Sequence, residues 1–404
     1  MAHLINEGYA NSSTLISYGN GSNVFINKKR YLDLSFCAGT YLLGHNSKTF
    51  QKAIIDLKNK KISNFASPNV HAENFGKTLK KIIPSYSKFV LCNSGTEAVT
   101  KGIRICRAIT KKNLILSING SWHGSVDETL YSYKKRKKKK LSDGLYSDGK
   151  KILFANYNNF KETKKVLKKY KSKICCILIE PVQACLPNEN SKEYLVQLAN
   201  YAKKENILLF FDEMITGLRT DGKTVQQEYG ISPDISTFGK SYGGGMPIGF
   251  IGINKKMEKR LKKNKVFFGG TFSGNSISMF IANETLKYII KNKSKIFKKI
   301  NFLSDKFTSE LNDYFLKNNY EIKVFRFKSM MRLVFSNKQI QNRIQRDFLE
   351  KSNLPKIKLF KNLLLKNRVY YPNNGTIFFS YSTSLKDVRY LIKIIKKIVD
   401  KIYA

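Results

Sequence analysis

The sequence predicts an α/β protein with a large domain on a mostly parallel sheet and a smaller α+β domain beside it. From about residue 88 to 254, short apolar runs alternate with amphipathic segments, the pattern of a parallel sheet covered by helices on both faces. From about residue 287 onward, long Lys-rich helical stretches are mixed with isolated strands. A length of 404 residues is sufficient for both units.

Seven strands are predicted for the large sheet, each a short apolar run followed by small or polar residues. They cover residues 88–91, 113–118, 152–154, 174–179, 207–211, 235–237 and 248–253. An amphipathic helix is predicted at 193–205. Ligands of such sheets bind at the carboxyl ends of the strands. The residues that follow each run are therefore the candidates for a functional site.

The predicted domain boundaries divide the chain into three segments. Residues 51–285 form the large domain, residues 286–404 form most of the small domain, and residues 1–50 join the small domain. The small-domain strands are predicted at 23–26, 31–34, 331–335 and 376–381, and its helices at 287–317 and 386–402.

The formal charge of +44 is compatible with three kinds of partner: nucleic acid, an anionic membrane surface, or acidic substrates. A biased codon supply also explains it, and the scattered distribution of the lysines favours that interpretation. The dense block at residues 134–140 is predicted to be a solvated loop, because like charges repel one another. No specific nucleic acid and no membrane is expected as a partner, and a basic binding protein is the remote alternative.

Three further patterns predict a cytoplasmic protein. The longest apolar runs are too short to span a bilayer, and residues 1–10 do not have the pattern of a secretory signal. The six cysteines contain no C-x-x-C pair. Buried, reduced thiols are expected, and no metal site is predicted.

A turn after the first of the seven strands is a candidate anion site. Ser94, Gly95 and Thr96 lead from that strand into a predicted helix. Free N–H groups and the positive end of the helix dipole attract an anion at such a turn. The alternative is a simple helix N-cap, which Ser and Thr also favour.

Two charged residues follow other strands. Asp212 ends the continuous apolar run 207–211, where a shielded carboxylate needs a cationic partner such as a protonated pyridine nitrogen; the alternative is a structural salt bridge. Lys240 precedes three glycines, and a desolvated lysine can form a Schiff base. An anion turn, a strand-end acid and this lysine together are what pyridoxal-5′-phosphate (PLP) chemistry requires.

Six motifs resemble those of the class III aminotransferases of fold type I, within the branch of the glutamate-1-semialdehyde 2,1-aminomutases. They come in the family's order and span about residues 19–283. They are Asn93-Ser94-Gly95-Thr96-Glu97-Ala98, Trp122-His123-Gly124, Glu180-Pro181-Val182-Gln183, Asp212-Glu213-Met214-Ile215-Thr216-Gly217-Leu218-Arg219, Pro233-Asp234 with Phe238-Gly239-Lys240, and Gly270-Thr271-Phe272-Ser273-Gly274-Asn275.

The resemblance implies a PLP-dependent transferase that moves an amino group between an amine donor and an aldehyde or ketone. It implies that Lys240 forms the Schiff base and moves protons, that Asp212 holds the pyridinium, and that Gly95 and Thr96 bind the phosphate. The remaining implied positions are Trp122 stacked on the ring, His123 beside it, Gln183 near the 3′-oxygen, Glu180 behind the site, and Thr271 on the phosphate of the neighbouring subunit's cofactor, in a homodimer. For Glu180, a helix cap or a buried ion pair is the alternative.

The true aminomutase is the main alternative activity. Asp127 and the stretch Tyr157-Asn158-Asn159 favour its branch. However, its N-terminal Ser-Pro-Val-Arg motif, which supplies an arginine for the substrate carboxylate, has no counterpart before Arg30. The sequence therefore favours a related aminotransferase. Its carboxylate-binding arginine is not identified, and the candidates are Arg219, Arg326 and Arg332.

Overall fold

The computed structural model describes residues 14–134, 137–146 and 148–404. Its strands are β1 Ile16–Asn20, β2 Asn23–Ile26, β3 Lys29–Asp33, β4 Lys88–Cys92, β5 Leu114–Asn119, β6 Tyr131–Lys134, β7 Lys137–Lys140, β8 Ile152–Asn156, β9 Ile174–Ile179, β10 Leu208–Asp212, β11 Ile235–Gly239, β12 Gly249–Ile253, β13 Lys323–Phe327, β14 Met330–Val334, β15 Val369–Tyr370 and β16 Thr376–Phe378.

Helices connect most of these strands. They are α1 Phe36–Gly39, α2 Lys48–Asn59, α3 Val70–Ile82, α4 Gly95–Thr110, α5 Phe160–Tyr170, α6 Lys192–Lys204, α7 Val225–Tyr229, α8 Lys255–Leu261, α9 Ser276–Lys291, α10 Lys293–Lys317, α11 Arg343–Leu349, α12 Leu354–Lys366 and α13 Leu385–Tyr403, with short 3-10 turns at Asp127–Thr129 and Lys240–Gly243.

The predicted seven-stranded sheet is confirmed, with the order β4-β12-β11-β10-β9-β5-β8. Only β12 runs antiparallel to its neighbours, β11 and β4. The carboxyl ends of the other six strands therefore meet at one edge. Because β9, β10, β11 and β12 are buried along their whole length, side chains at this edge are shielded by packing on both faces.

Separate hydrophobic clusters cover the two faces of the large sheet. One cluster packs α4, through Ala98, Val99 and Ile103, against the sheet. The other packs α6, through Leu195 and Leu198, against the opposite face. This two-sided burial fixes the strand ends that form the site.

The smaller α+β domain from N- and C-terminal segments is also present. One of its sheets has the order β1-β2-β3-β15 and the other β13-β14-β16, so an N-terminal hairpin pairs with a strand near the C-terminus. A common core contains Leu32 and Leu34 of the N-terminal segment together with Phe307 and Ile395 of the C-terminal helices.

Two predictions about the lysine-rich segments were wrong. Residues 134–140 were expected to form a loop, but β6 and β7 pair as an antiparallel hairpin. Tyr131 and Tyr133 lie opposite Lys140 and Lys138 in this hairpin, and β7 is exposed along its length. Residues 135 and 136 lie outside the described residues. The predicted helix at 287–317 is two helices, because Asn292 departs from helical geometry and its amide bonds to Tyr288 O at 2.9 Å.

The cysteine prediction was correct only in part. All six thiols are free, but Cys37 is exposed and Cys185 is half-buried, whereas the other four are buried. Among the described residues, we find no helix with both the length and the apolar character needed to cross a membrane. Residues 1–10, on which the signal-peptide prediction rests, lie outside that range.

Candidate active site

A cavity of about 530 Å³ opens at the carboxyl edge of the large sheet. Its walls include residues that follow β4, β5, β9, β10 and β11, as well as side chains from β14 and α11. The sequence-predicted residues on its walls are Gly95, Thr96, Trp122, His123, Glu180, Asp212 and Lys240. Residues far apart in sequence therefore converge where the parallel strands end.

The predicted anion turn forms the start of α4. Ser94 is the N-cap, and its Oγ accepts a hydrogen bond from Glu97 N at 3.1 Å. Gly95 packs closely on Met214, because an added Cβ would lie 2.8 Å from Met214 Cε and would force that side chain to shift. The N-cap interpretation therefore holds for Ser94, while Gly95 and Thr96 remain on the cavity wall at the positive end of a 16-residue helix.

Asp212 is held by three hydrogen bonds at the end of β10. Its Oδ2 lies 2.8 Å from Nδ1 of His123, and its Oδ1 accepts from Thr237 Oγ1 at 3.0 Å and from Met214 N at 3.2 Å. Asp212 and His123 are both buried, and among the described residues His123 Nε2 has no hydrogen-bond partner. The carboxylate is fixed in orientation, and the buried imidazole keeps an unused nitrogen at the cavity.

Lys240 begins the 3-10 turn directly after β11. Its φ is +47°, a left-handed conformation that costs a non-glycine residue of order 1–3 kcal/mol and is typical of functional sites. Burial lowers the pKa of Lys240, although the nearby carboxylates of Asp212 and Glu180 act in the opposite direction. A lowered pKa increases the fraction of neutral, nucleophilic amine at neutral pH.

Glu180 follows β9 and supports the part of the cavity wall that carries Trp122. Its two oxygens accept hydrogen bonds from Trp122 N at 2.7 Å and Ala184 N at 3.2 Å. Burial raises the pKa of Glu180, and the neighbouring His123 opposes that rise. Trp122 itself is 43% exposed, so its ring lies at the mouth of the cavity while its backbone is anchored.

Three predicted site residues are absent from the cavity wall. Ser94 is occupied as the helix cap. Gln183 is buried behind the wall, where its amide donates to Asn119 O and Ser121 Oγ, each at 3.1 Å. Thr271 is exposed on the surface of its own chain. Its neighbour Ser273 contacts Glu97 at 3.3 Å, so the segment lies near the start of α4 but outside this cavity.

Sequence reasoning did not single out Arg343 and Arg346, which line the cavity together with Arg332. Of its three candidates, Arg219 is buried elsewhere: it donates to Ser329 Oγ at 3.1 Å and to Gly39 O, and stacks on Phe378. Arg326 pairs with Asp305 and also lies off the cavity. No local motif marks Arg343 or Arg346, and only the tertiary fold brings them to the site.

The described groups fit a pyridine aldehyde phosphate. The turn at α4 supplies N–H donors for a phosphate, Asp212 supplies a buried carboxylate for a ring cation, and Lys240 supplies a desolvated amine. The unpartnered His123 Nε2 indicates that a polar group completes this site.

Comparison with known proteins decides the family. The model of the family described as Aminotransferase class-III matches residues 5–354. The chain belongs to the class III aminotransferases. It is therefore an enzyme that uses PLP and acts on small molecules, as the sequence predicted.

Curated relatives lie in the predicted branch of this class III family. The chain is 32% identical over 347 residues to glutamate-1-semialdehyde 2,1-aminomutase 2 of Lachnoclostridium phytofermentans, covering 81% of this chain and 78% of the relative. It is 31% identical over 390 residues to the glutamate-1-semialdehyde 2,1-aminomutase of Thermosipho melanesiensis, covering 92% and 88%.

Solved structures confirm the fold of this class III aminotransferase. An omega-transaminase from Sphaerobacter thermophilus matches with a TM-score of 0.89 at 19% identity, covering 97% of this chain and 92% of that chain. A glutamate-1-semialdehyde aminomutase from Pseudomonas aeruginosa matches with a TM-score of 0.87 at 16% identity, covering 96% and 88%. The predicted fold type I architecture is therefore confirmed.

Proposed function

We propose that this class III enzyme transfers an amino group between an amine donor and a separate aldehyde or ketone, with PLP held covalently by Lys240. The observation that carries the proposal is the convergence of Lys240 and Asp212 on one cavity at the sheet edge. When bound, PLP supplies an electron sink that stabilises negative charge on the substrate carbon. The protein's own residues must then hold the ring, orient the substrate and move the proton.

Each predicted residue has a distinct task in this proposal. Lys240 would hold the cofactor covalently and would move the proton at the substrate carbon, with an amine whose pKa is lowered by burial. Asp212 keeps the ring nitrogen protonated. His123 holds Asp212 in place through the 2.8 Å hydrogen bond. Gly95 and Thr96 hold the phosphate.

The remaining predicted residues shape the site. Trp122 covers one face of the ring, and Glu180 fixes the loop that carries it through Trp122 N. A role for Gln183 at the 3′-oxygen requires its side chain to turn toward the cavity, since its amide now bonds to Asn119 and Ser121. Its Oε1, buried without a hydrogen-bond partner among the described residues, supports that role.

The aminomutase activity of the curated relatives is the second candidate. The relatives' identities of 32% and 31% favour it. The absence of an N-terminal arginine motif opposes it: Arg30 lies on β3 and is not on the cavity wall, and the wall arginines come from β14 and α11. Glutamate-1-semialdehyde supplied without any other carbonyl compound would distinguish the two, because an aminomutase converts it fully and an aminotransferase does not.

Dimerisation and the domain boundaries belong to the same proposal. We expect a homodimer in which Thr271 reaches the partner's cofactor phosphate. The exposed, apolar Phe267 and Phe272 beside it favour a covered surface there. We expect the large domain to span 51–285 and the small domain to combine 1–50 with 286–404, since Leu32 and Leu34 share a core with the C-terminal helices. The cytoplasmic location stays a prediction.

Covalent labelling tests the proposal directly. The yellow enzyme, purified with PLP, is reduced with borohydride, digested and analysed by peptide mass mapping. We expect a phosphopyridoxyl group on Lys240. The chain has many other lysines, so each serves as an internal control. A label on a different lysine, or no label, would contradict the proposal.

A further inference from the structure

Three arginines form one end of the cavity. Arg332 lies on β14, and Arg343 and Arg346 lie on α11, so all three come from the C-terminal part of the chain. None of the motifs that define the cofactor site includes them.

The strand order separates these arginines from the phosphate turn. The turn at Gly95 follows β4, whereas Arg343 and Arg346 contact the loops after β5 and β9 through Gly120 and Cys185. In the sheet, β10 and β11 lie between β4 and β9. Asp212 at the end of β10 and Lys240 directly after β11 therefore lie between the two ends of the cavity. The arginines are placed for the substrate rather than for the cofactor phosphate.

Backbone carbonyls fix the orientation of each guanidinium. Arg343 Nη1 donates to Gly120 O at 3.3 Å, Arg346 Nη1 donates to Cys185 O, and Arg332 Nη1 donates to Asn374 O. A carbonyl dipole orients a guanidinium but leaves its full charge. These contacts pre-organise the wall without neutralising it.

Two carboxylates pair with the three arginines. Asp347 lies 3.5 Å from Arg343 Nε, and Glu350 lies 3.4 Å from Arg346 Nε and 4.0 Å from Arg332 Nη2. Three positive charges against these two leave one in excess. Arg332 Nε and Arg346 Nε are both buried with no hydrogen-bond partner among the residues that the structure describes, but only Arg346 Nε has a carboxylate within ion-pair distance, Glu350 at 3.4 Å. A buried, unused donor on a cation is costly unless an acceptor binds there.

We infer that Arg332 and Arg343 bind an oxyanion group of the substrate, a carboxylate or a phosphate ester, at the end of the cavity opposite the α4 turn. Arg346 is a positioning residue, because its guanidinium is engaged by Cys185, Asp347 and Glu350. The inference rests on the proposed function, since it names the class of amine or carbonyl compound that the Lys240 site accepts. An arginine fork suits both oxyanions because it donates two parallel hydrogen bonds.

Matched amines test this assignment in the PLP-loaded enzyme. Pentylamine, 5-aminopentanoate and 3-aminopropyl phosphate are mixed with it, and the cofactor absorbance gives an apparent Kd and a limiting rate for each. We expect at least one anionic amine to bind about 10- to 100-fold more tightly than pentylamine. The anionic amine that binds more tightly shows whether the substrate group is a carboxylate or a phosphate ester.

Variants then assign the preference to residues. Arg343→Gln and Arg332→Gln should each reduce, about tenfold or more, the preference of the enzyme for the favoured anion over pentylamine. Arg326→Gln is the matched control, because Arg326 lies on the adjacent β13 and pairs with Asp305 outside the cavity. If Arg332→Gln fails to fold, Arg343 carries the test, because its side chain is 39% exposed and that of Arg332 is 13% exposed.

Failure of the proposed function can be distinguished from failure of the arginine assignment. An enzyme that retains no PLP, or in which no amine changes the cofactor spectrum, would overturn the proposed function and this inference with it. An enzyme that reacts with pentylamine as tightly as with both anions would overturn this inference alone. So would variants at 332 and 343 that bind the preferred anion as the wild type does.

Discussion

One wall of the cavity consists of the carboxyl ends of neighbouring strands, whereas the other consists of side chains from β14 and α11. On the strand wall, Asp212 and His123 are buried and bonded to each other and to the sheet. On the arginine wall, the guanidinium groups are held by carbonyls of loops and by the carboxylates of Asp347 and Glu350. The first wall belongs to the large seven-stranded sheet, whereas the second combines one strand of the small sheet β13-β14-β16 with the helix α11.

The two walls therefore have different tasks, one in the chemical step and the other in substrate binding. A shielded, pre-organised carboxylate affects the transition state, because its charge acts in a site from which water is excluded. An arginine at the far end of the cavity contacts the substrate equally before and during the reaction, so it contributes to binding rather than to rate. Substitutions on the two walls should therefore change different kinetic constants.

The largest effect is expected on the strand wall. Asp212→Asn leaves the ring nitrogen without an anionic partner, and we expect kcat to fall on the order of 100- to 1000-fold with a smaller change in KM. Steady-state kinetics with a reactive amine and carbonyl pair measures it. Asp221→Asn is the control, because Asp221 bonds to Asn301 and Lys328 away from the cavity. An Asp212 variant with near-native kcat would show that the carboxylate is only structural.

The comparison of the two walls also explains how much the sequence could predict. The seven-stranded sheet and the strand-end residues Asp212 and Lys240 were predictable, because apolar runs define the strands and the chemistry follows each run directly. Arg343 and Arg346 were not, because α11 reaches the cavity through contacts with Gly120 and Cys185 that are distant in sequence. Local pattern carries no information about such contacts.

Local pattern failed in two other ways. The basic block at residues 134–140 was predicted as a loop from the repulsion between its charges. That prediction left out the pairing of β7 with β6, which carries Tyr131 and Tyr133. The burial of Arg219 was also missed: three residues after Thr216, its guanidinium turns toward Gly39 and Phe378 rather than the cavity. A charged residue beside a functional motif is therefore weak support for a role in binding.

Substitution of Glu213, next to Asp212, should have an effect of intermediate size, and that effect is on stability. Its carboxylate is turned away from the cavity and accepts from Val225 N at 2.8 Å, Gln226 N at 2.9 Å and Thr216 Oγ1 at 2.8 Å. Burial raises the pKa of Glu213 to about 7 in the folded protein. The folded state therefore holds this proton over a pH range in which the unfolded chain has released it.

The sign of the pH dependence follows from that raised pKa. The contribution of Glu213 to stability is complete below the unfolded pKa and is lost as pH rises to the folded pKa of about 7. Glu213→Gln does not titrate. We expect the wild type's unfolding free energy, minus that of the variant, to fall by about 3 kcal/mol between pH 4 and pH 8. Denaturant unfolding at several pH values measures it, and a constant difference would contradict the assignment.

The smallest expected effect concerns a residue on neither wall. Thr271 is exposed and is flanked by Phe267 and Phe272, which are 77% and 57% exposed. If a second copy covers this surface, the Thr271 hydroxyl becomes a donor to the partner's cofactor phosphate, and Thr271→Ala should weaken PLP retention about tenfold. Thr110→Ala, at the far end of α4, is the control, because its hydroxyl bonds within its own helix to Cys106 O.

The net charge and the exposed apolar rings decide whether two copies of the chain associate through that surface. A charge of +44 on each copy opposes association at low salt, but exposed charges are screened within about 8 Å at physiological ionic strength, whereas burial of apolar rings is not weakened by screening. We therefore expect a dimer whose association strengthens with added salt and with PLP, measured by sedimentation with and without cofactor. Since donors from both chains would hold one phosphate, cofactor binding and association must be linked. A monomer that retains PLP and full turnover would show that each site is complete in a single chain, and Thr271 would then have no role in it.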